Sequence, residues 1–315
     1  MSTPRVKVGV FGKIPSHGDF VSMGTASDTG RSFEKFCQMA NDMVAEANNP
    51  LPLGPIGFCF RDGSGSSSLI GVLVRSRDSA GRKFPLALFC EYSVTKDMAL
   101  AGAPGVFRNS IGALSQLALD APSTTIDALK QAVRNAPTPD PETIVDGMKA
   151  EVARLDDVPF RRIVKRVFGP SQAPALGTQT LLKACDVALR EGTRRPPTVD
   201  LRATSDVELL FWLACAESRL GSGFSGVSCF WDVTASRALL APGMPDSNTL
   251  NFLTRSGVQF SKLWGVTAAT QAGPSEARAG QSLPPALVEM LRNPGATVAS
   301  TFVEALSPAA DPSQT

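Results

Sequence analysis

A chain of 315 residues has room for one large domain or two ordinary ones. Its 43% apolar and 19% charged content is that of a globular protein and excludes a disordered or multi-spanning chain. The formal net charge of +2 provides no global basic field for nucleic acid or an anionic membrane. No charged start runs into an apolar stretch, so no signal peptide is expected, and no run is long enough to span a bilayer.

The alternation Val6-Lys7-Val8-Gly9-Val10-Phe11 predicts a strand, followed at once by Gly12-Lys13-Ile14-Pro15-Ser16-His17-Gly18-Asp19-Phe20. So dense a set of Gly, Pro and Asp marks a backbone held in an unusual path: Gly permits positive φ, Pro fixes φ, and Asp bonds neighbouring amides. Ser32 is expected to cap a helix to about Ala47, with Phe33, Phe36, Ala40, Met43 and Ala47 on one face and Asn48-Asn49-Pro50 as its stop. Ile56–Phe60, Leu69–Val74 and Phe84–Tyr92 read as strands, the first followed by a turn at Asp62-Gly63-Ser64-Gly65. Short connections between them imply an antiparallel meander, with Pro85 at the start of its strand or on an edge.

Pro104 opens a further helix carrying Phe107, Ile111, Leu114 and Ala118 on one face. Residues 123–200 are helix-rich and punctuated by prolines, which predicts an insertion. In it Asp156-Asp157-Val158-Pro159 reads as a helix start. The following Phe160–Phe168 sets Phe160, Ile163, Val164, Val167 and Phe168 against Arg161, Arg162, Lys165 and Arg166, a pattern that suits packing with a solvated face or docking on a membrane or acidic partner. Ser205 and Glu208 read as a capping box for a helix to about Leu220 that is apolar on most of its circumference, hence buried between layers. Val227–Asp232 and Arg237–Ala241 form a strand pair, and Pro242-Gly243-Met244-Pro245-Asp246 leads to a helix through Phe252. The chain thus divides into 1–122, an α/β region; 123–200, the insertion; 201–270, a region completing the sheet; and 271–315, a mostly irregular tail with a short helix at 286–292 and a disordered end.

Chemistry-bearing patterns are sparse. A phosphate-binding loop needs Gly-x-x-x-x-Gly-Lys-Ser/Thr, but Gly9 lies too close to Gly12, and Ile14-Pro15 replaces the hydroxyl and helix start. His17 is the sole histidine, so any His-dependent reaction uses it. Ser16 and Asp19 are only its sequence neighbours, and the Gly-x-Ser-x-Gly elbow is missing, so an exposed loop histidine is expected. The six cysteines, Cys37, Cys59, Cys90, Cys185, Cys215 and Cys229, have apolar neighbours and no Cys-x-x-Cys spacing. They predict buried reduced thiols, no metal and a cytoplasmic protein. Arg82 is expected to fork onto Asp19 or Asp78, pinning the loop after the first strand to the meander.

Two segments carry a family resemblance. They are Gly9–Val21, containing Gly-Lys-Ile-Pro-Ser-His-Gly-Asp-Phe, and Gly71–Leu86, containing Ser-Arg-Asp-Ser-Ala-Gly-Arg-Lys-Phe-Pro-Leu. A weaker third is Phe230-Trp231 with Pro242-Gly243-Met244-Pro245. The chain resembles the type VI secretion-associated TagF (ImpM) family, with Ile14 where Leu is usual. The resemblance implies a central mixed sheet with helices on both faces. With the elements above, this predicts an α/β, largely antiparallel three-layer α-β-α sandwich bearing a helical insertion. It also implies a non-enzymatic, cytoplasmic, post-translational repressor that binds the forkhead-associated scaffold protein of the secretion system, with no cofactor. Gly12, Lys13, Pro15, Gly18, Asp19, Phe20, Asp78, Gly81, Arg82, Phe84 and Pro85 match the motifs and serve either folding or partner contact. Two alternatives stay open: a hydrolase or nucleotide-binding enzyme built on the Gly12–Phe20 loop, and a structural component of the secretion apparatus.

Overall fold

The structure, a computed structural model, describes residues 4–46, 51–63, 66–168, 173–191, 197–221, 226–232, 236–254, 263–266 and 272–307. The expected helix stop at 48–50, the turn residues 64–65 and the chain end at 308–315 lie outside them.

In chain order the first elements are β1 (Val6–Gly12), β2 (Val21–Met23), α1 (Asp28–Glu46), β3 (Ile56–Phe60), β4 (Ser67–Val74), β5 (Leu86–Ser93), α2 (Ala103–Val106) and α3 (Arg108–Asp120). Residues 123–200 supply α4 (Ile126–Arg134), α5 (Ile144–Ala153), α6 (Phe160–Val167) and α7 (Pro174–Glu191). There follow β6 (Thr198–Arg202), α8 (Asp206–Leu220), β7 (Val227–Asp232), β8 (Arg237–Pro242), α9 (Thr249–Thr254), β9 (Leu263–Gly265), α10 (Ala272–Ser282), α11 (Pro285–Arg292) and α12 (Ala299–Glu304). The described strands form one sheet in the order β2-β1-β5-β4-β3-β7-β8-β6-β9. Every pairing is antiparallel except β6 with β9, so the sheet is mixed and largely antiparallel as expected.

Strand alternation sends successive side chains to opposite faces, and both faces are covered. Phe11, Phe58, Phe60, Leu69, Leu73, Phe89 and Phe230 form one core with Phe33, Phe36 and Ala40 of α1 and Leu250 and Phe252 of α9. Burial of each such phenylalanine contributes about 2 kcal/mol of transfer free energy. Val10, Ile70, Val72, Leu88, Cys90 and Tyr92 face the other way, into a larger core shared with α3, α7 and α8. Leu129, Val133, Ile144, Met148, Phe160 and Leu181 belong to that same core, so the helices of residues 123–200 pack with one face of the sheet.

Several local expectations are corrected. α1 begins at Asp28, and Ser27 caps it: its Oγ accepts from the Gly30 amide at 2.9 Å, while the Ser32 hydroxyl turns to Asp62. The capping box before α8 is half formed, because the Ser205 side chain makes no cap bond. Instead Glu208 Oε2 accepts from the Thr204 amide and hydroxyl at 2.5 and 2.7 Å. Asp156 and Asp157 lie in a 3-10 turn ahead of α6, not in its first turn. β2, β6 and β9 are strands where none was expected. β6 carries exposed charge, and Asp200 is matched only across the sheet, by Arg237 at 2.7 and 2.8 Å.

The largest correction is the tail: the short helix expected at 286–292 is α11, but α10 and α12 are helical where irregular chain was expected. Its Leu283, Leu287, Leu291, Ala299, Phe302 and Leu306 are buried in the larger core, and Phe302 stacks on Phe160 at 4.3 Å. Glu276 on α10 accepts from the Ala175 and Leu176 amides at 2.8 and 2.7 Å, capping α7. Among the described residues no helix is long and apolar enough to cross a membrane.

Candidate partner-binding loops

Two loops meet at one end of β1: residues 12–20, leaving that strand, and 75–85, the hairpin between β4 and β5. Gly12 makes the meeting possible. Its φ is 137°, and a Cβ there would lie 2.1 Å from the Pro85 carbonyl oxygen, so only glycine lets β1 leave the sheet so close to the hairpin. Pro85, buried, directly precedes β5, where its missing N–H costs no ladder bond.

Asp78 is the centre of the junction. It is 2% exposed, and its Oδ2 accepts from Lys13 Nζ at 2.8 Å and Arg82 Nε at 2.7 Å. Its Oδ1 accepts from the Arg82 and Ala80 amides at 2.8 and 3.0 Å. The turn is closed by the Asp78 amide on the Arg82 carbonyl and the Gly81 amide on the Asp78 carbonyl, with Gly81 at φ 81°. The Lys13 ammonium first, and then the Arg82 amide and guanidinium, hold the Asp78 carboxyl well below the usual carboxylate range, outweighing the burial that would raise it. Lys13 is itself only 6% exposed, so a charge pair and its hydrogen bonds are buried together.

Further bonds lock loop to loop. Ser76 Oγ donates to the Lys13 carbonyl at 2.7 Å, the Ser79 amide to the His17 carbonyl at 3.0 Å, and Arg82 Nη2 to the Gly18 carbonyl at 2.6 Å. Arg82 therefore does pin the two loops, through Asp78 and a backbone carbonyl. It does not use Asp19. That carboxylate closes on the next amide, accepting from Phe20 N at 2.7 Å, and points to solvent.

The outer surface of the junction is built differently. Phe20 is 39% exposed, stacked on Phe11 at 5.7 Å and edge-on to Phe84 at 4.8 Å, with Lys13 Nζ 4.9 Å from its ring centre. Phe11 and Phe84 are buried in the α1-side core, so Phe20 is the open end of an anchored aromatic trio. Gly18 and Asp19 beside it are exposed, and Pro15 and His17 half-buried. Arg75, Arg77 and Lys83 on the hairpin are exposed as well, and the Arg82 side chain is 62% exposed. The structure thus gathers the motif residues expected from the sequence but divides their roles: Gly12, Lys13, Asp78, Gly81, Phe84 and Pro85 hold the junction, Gly18, Asp19 and Phe20 form its surface, Arg82 does both, and Pro15 lies half-buried in the first loop.

Phe11, Ser76 and the flanking cations were not singled out by sequence. Phe11 was legible only as a strand residue, and the Ser76 hydroxyl acquires its role from a chain segment far away in sequence. Ser16 is engaged elsewhere, its hydroxyl donating to the Thr124 carbonyl at 2.6 Å. β1 leads into a turn and then β2, and Lys13 is committed to Asp78, unlike the free lysine before a helix that cradles phosphates. The weaker third motif lies elsewhere: Phe230 and Trp231 are buried on opposite faces of β7, and Pro242 ends β8. All six cysteines are buried and free of disulfides, and burial pushes the Cys59 and Cys185 thiols up to about 12 and Cys90 up to about 11. Such thiols pack as small hydrophobes.

Residues 9–136 match the family model of the TagF N-terminal domain, described as type VI secretion system-associated. Among solved structures the chain is similar to the crystal structure of PA0076 from Pseudomonas aeruginosa PAO1 at 2.05 Å resolution. That likeness covers 81% of this chain and 97% of that chain at 17% sequence identity, with a TM-score of 0.46. No curated protein matches the chain. The matched span runs from within β1 through α4 and includes both loops and the Asp78 junction. Residues 9–136 of this chain thus correspond to the TagF N-terminal domain, a type VI secretion system-associated domain.

Proposed function

We propose that this chain is a non-enzymatic, cytoplasmic regulator that represses type VI secretion by binding the system's forkhead-associated scaffold protein through loops 12–20 and 75–85. The match of residues 9–136 to the type VI secretion-associated TagF N-terminal domain supports the setting. The observation that carries the choice of surface is Phe20, an aromatic left 39% exposed on a junction locked by bonds that converge on the buried Asp78. A rigid aromatic on a loop pair that also exposes Arg75, Arg77, Arg82 and Lys83 fits a binding hot spot: an anchor with little ordering entropy to lose, with charges in the same loops to steer an acidic partner.

Repression on this account is a binding equilibrium. The chain shifts the scaffold toward an inactive state only by its differential affinity for the two scaffold states. The test is affinity co-purification of the full chain with the scaffold of its own secretion cluster, together with its partition between soluble and assembled fractions. A complex recovered from the soluble fraction supports the repressor. Co-sedimentation with the assembled apparatus, without a soluble complex, favours a structural component.

A further inference from the structure

We infer that the exposed face of α6 is a second docking surface, one that receives an acidic segment of a partner protein. This goes beyond the reading above, because α6 lies outside the matched family span and shares no residue with the motif loops.

The helix is unusual in what it does with its charges. Phe160, Ile163 and Val167 are all at most 1% exposed, and Phe160 stacks on Phe302 and lies 6.1 Å from the ring of Phe211. Its leading amides are fixed as well, Phe160 N donating to the Thr297 carbonyl and Arg161 N to the Pro294 carbonyl. The opposite side presents Arg161, Arg162, Lys165 and Arg166, all exposed. Only Arg166 has an acidic partner among the described residues: Glu208, itself 1% exposed, at 3.4 Å. Asp156 and Asp157 just ahead make no ion pair with the helix.

For the isolated fold this arrangement is unfavourable. Arg161 with Lys165 and Arg162 with Arg166 are like-charge pairs at i,i+4, and Arg161 and Arg162 sit at the positive end of the helix dipole. Local conflict without compensation is expected where function uses the residues. The partner's chemistry follows from the geometry. Because the apolar stripe is consumed by the core, the helix has no face to insert among lipid chains, which distinguishes it from an interfacial anchor. Three of the four cations are arginines, whose planar forks match carboxylates two bonds at a time. The helix is also already ordered, so binding costs little backbone entropy.

The test measures fluorescence anisotropy of a labelled oligoglutamate peptide with the full chain, at low and at physiological salt. It compares the chain with a variant carrying Arg161→Gln, Arg162→Gln and Lys165→Gln, and with a control carrying Lys35→Gln, Lys96→Gln and Arg134→Gln, three exposed cations outside both proposed surfaces. The expected result is salt-sensitive binding that weakens about tenfold in the α6 variant and less in the control, with the α6 variant melting no lower than the parent. No binding by the parent, equal weakening in both variants, or a lowered melting temperature of the α6 variant overturns the inference. Charge-dependent binding to phosphatidylserine vesicles without peptide binding also overturns it, in favour of a lipid surface.

Discussion

The inward and outward halves of the loop pair are built from neighbouring residues of one motif, yet they follow opposite rules. Inward, Asp78 takes bonds from Lys13, Ala80 and Arg82, and Gly12 passes against Pro85 with no room for a side chain. Outward, Phe20 keeps much of its ring in solvent and Asp19 bonds only the adjacent amide. Fold cost is therefore expected in the first group and, on the proposed function, binding cost in the second. A motif match alone does not separate the two; burial and hydrogen-bond partners do.

The difference can be broken most forcefully at Asp78. Asp78→Asn removes the charge that satisfies the buried Lys13 ammonium, and it is expected to give the largest fall in melting temperature of any substitution in either loop. The same contact predicts an acid dependence. The folded Asp78 titrates below its unfolded value, so its contribution is complete above about pH 5 and is lost as the pH falls through about 4 and lower. The gap in stability between the parent and Asp78→Asn should accordingly shrink on acidification, as followed by denaturant unfolding at a series of pH values. A gap that stays constant or widens contradicts the assignment.

Gly12→Ala comes next, with an expected loss of at least about 2 kcal/mol from backbone strain and the clash with Pro85, read from denaturant midpoints. Phe20→Ala sharpens the comparison from the other side. It removes one member of the aromatic trio and is expected to cost about 1 kcal/mol of stability while weakening partner binding at least about tenfold. Asp19→Ala is the smallest, within about 0.5 kcal/mol of the parent in thermal or chemical melts, because its carboxylate serves one exposed amide.

How much of this was legible in the sequence follows from the range of the interactions. The layers were readable, because Leu69–Val74 runs apolar without a break and α8 is apolar almost all round, both consequences of burial on two sides. The junction was half readable. Glycine and proline spacing announced an unusual path, but which carboxylate receives Arg82 depends on the turn that places Asp78 four residues away with the Lys13 ammonium already on it. In the tail α11 was readable, but α10 and α12 were not, from the Gly, Pro, Ala and Ser content around them. Its helices are held by tertiary contacts such as Phe302 on Phe160 and Glu276 on the start of α7, which no local propensity encodes. β2 and β9 were missed for a related reason, since strands of three residues carry too short a pattern to show a period.

The most direct test of the central claim is titration calorimetry of the forkhead-associated scaffold with the parent chain and with Phe20→Ala, each checked for an intact thermal transition. The account predicts a one-to-one complex with the parent and an affinity lowered at least about tenfold by Phe20→Ala, in a variant that remains folded. Equal affinities for the two folded proteins, or no binding by the parent, would contradict it.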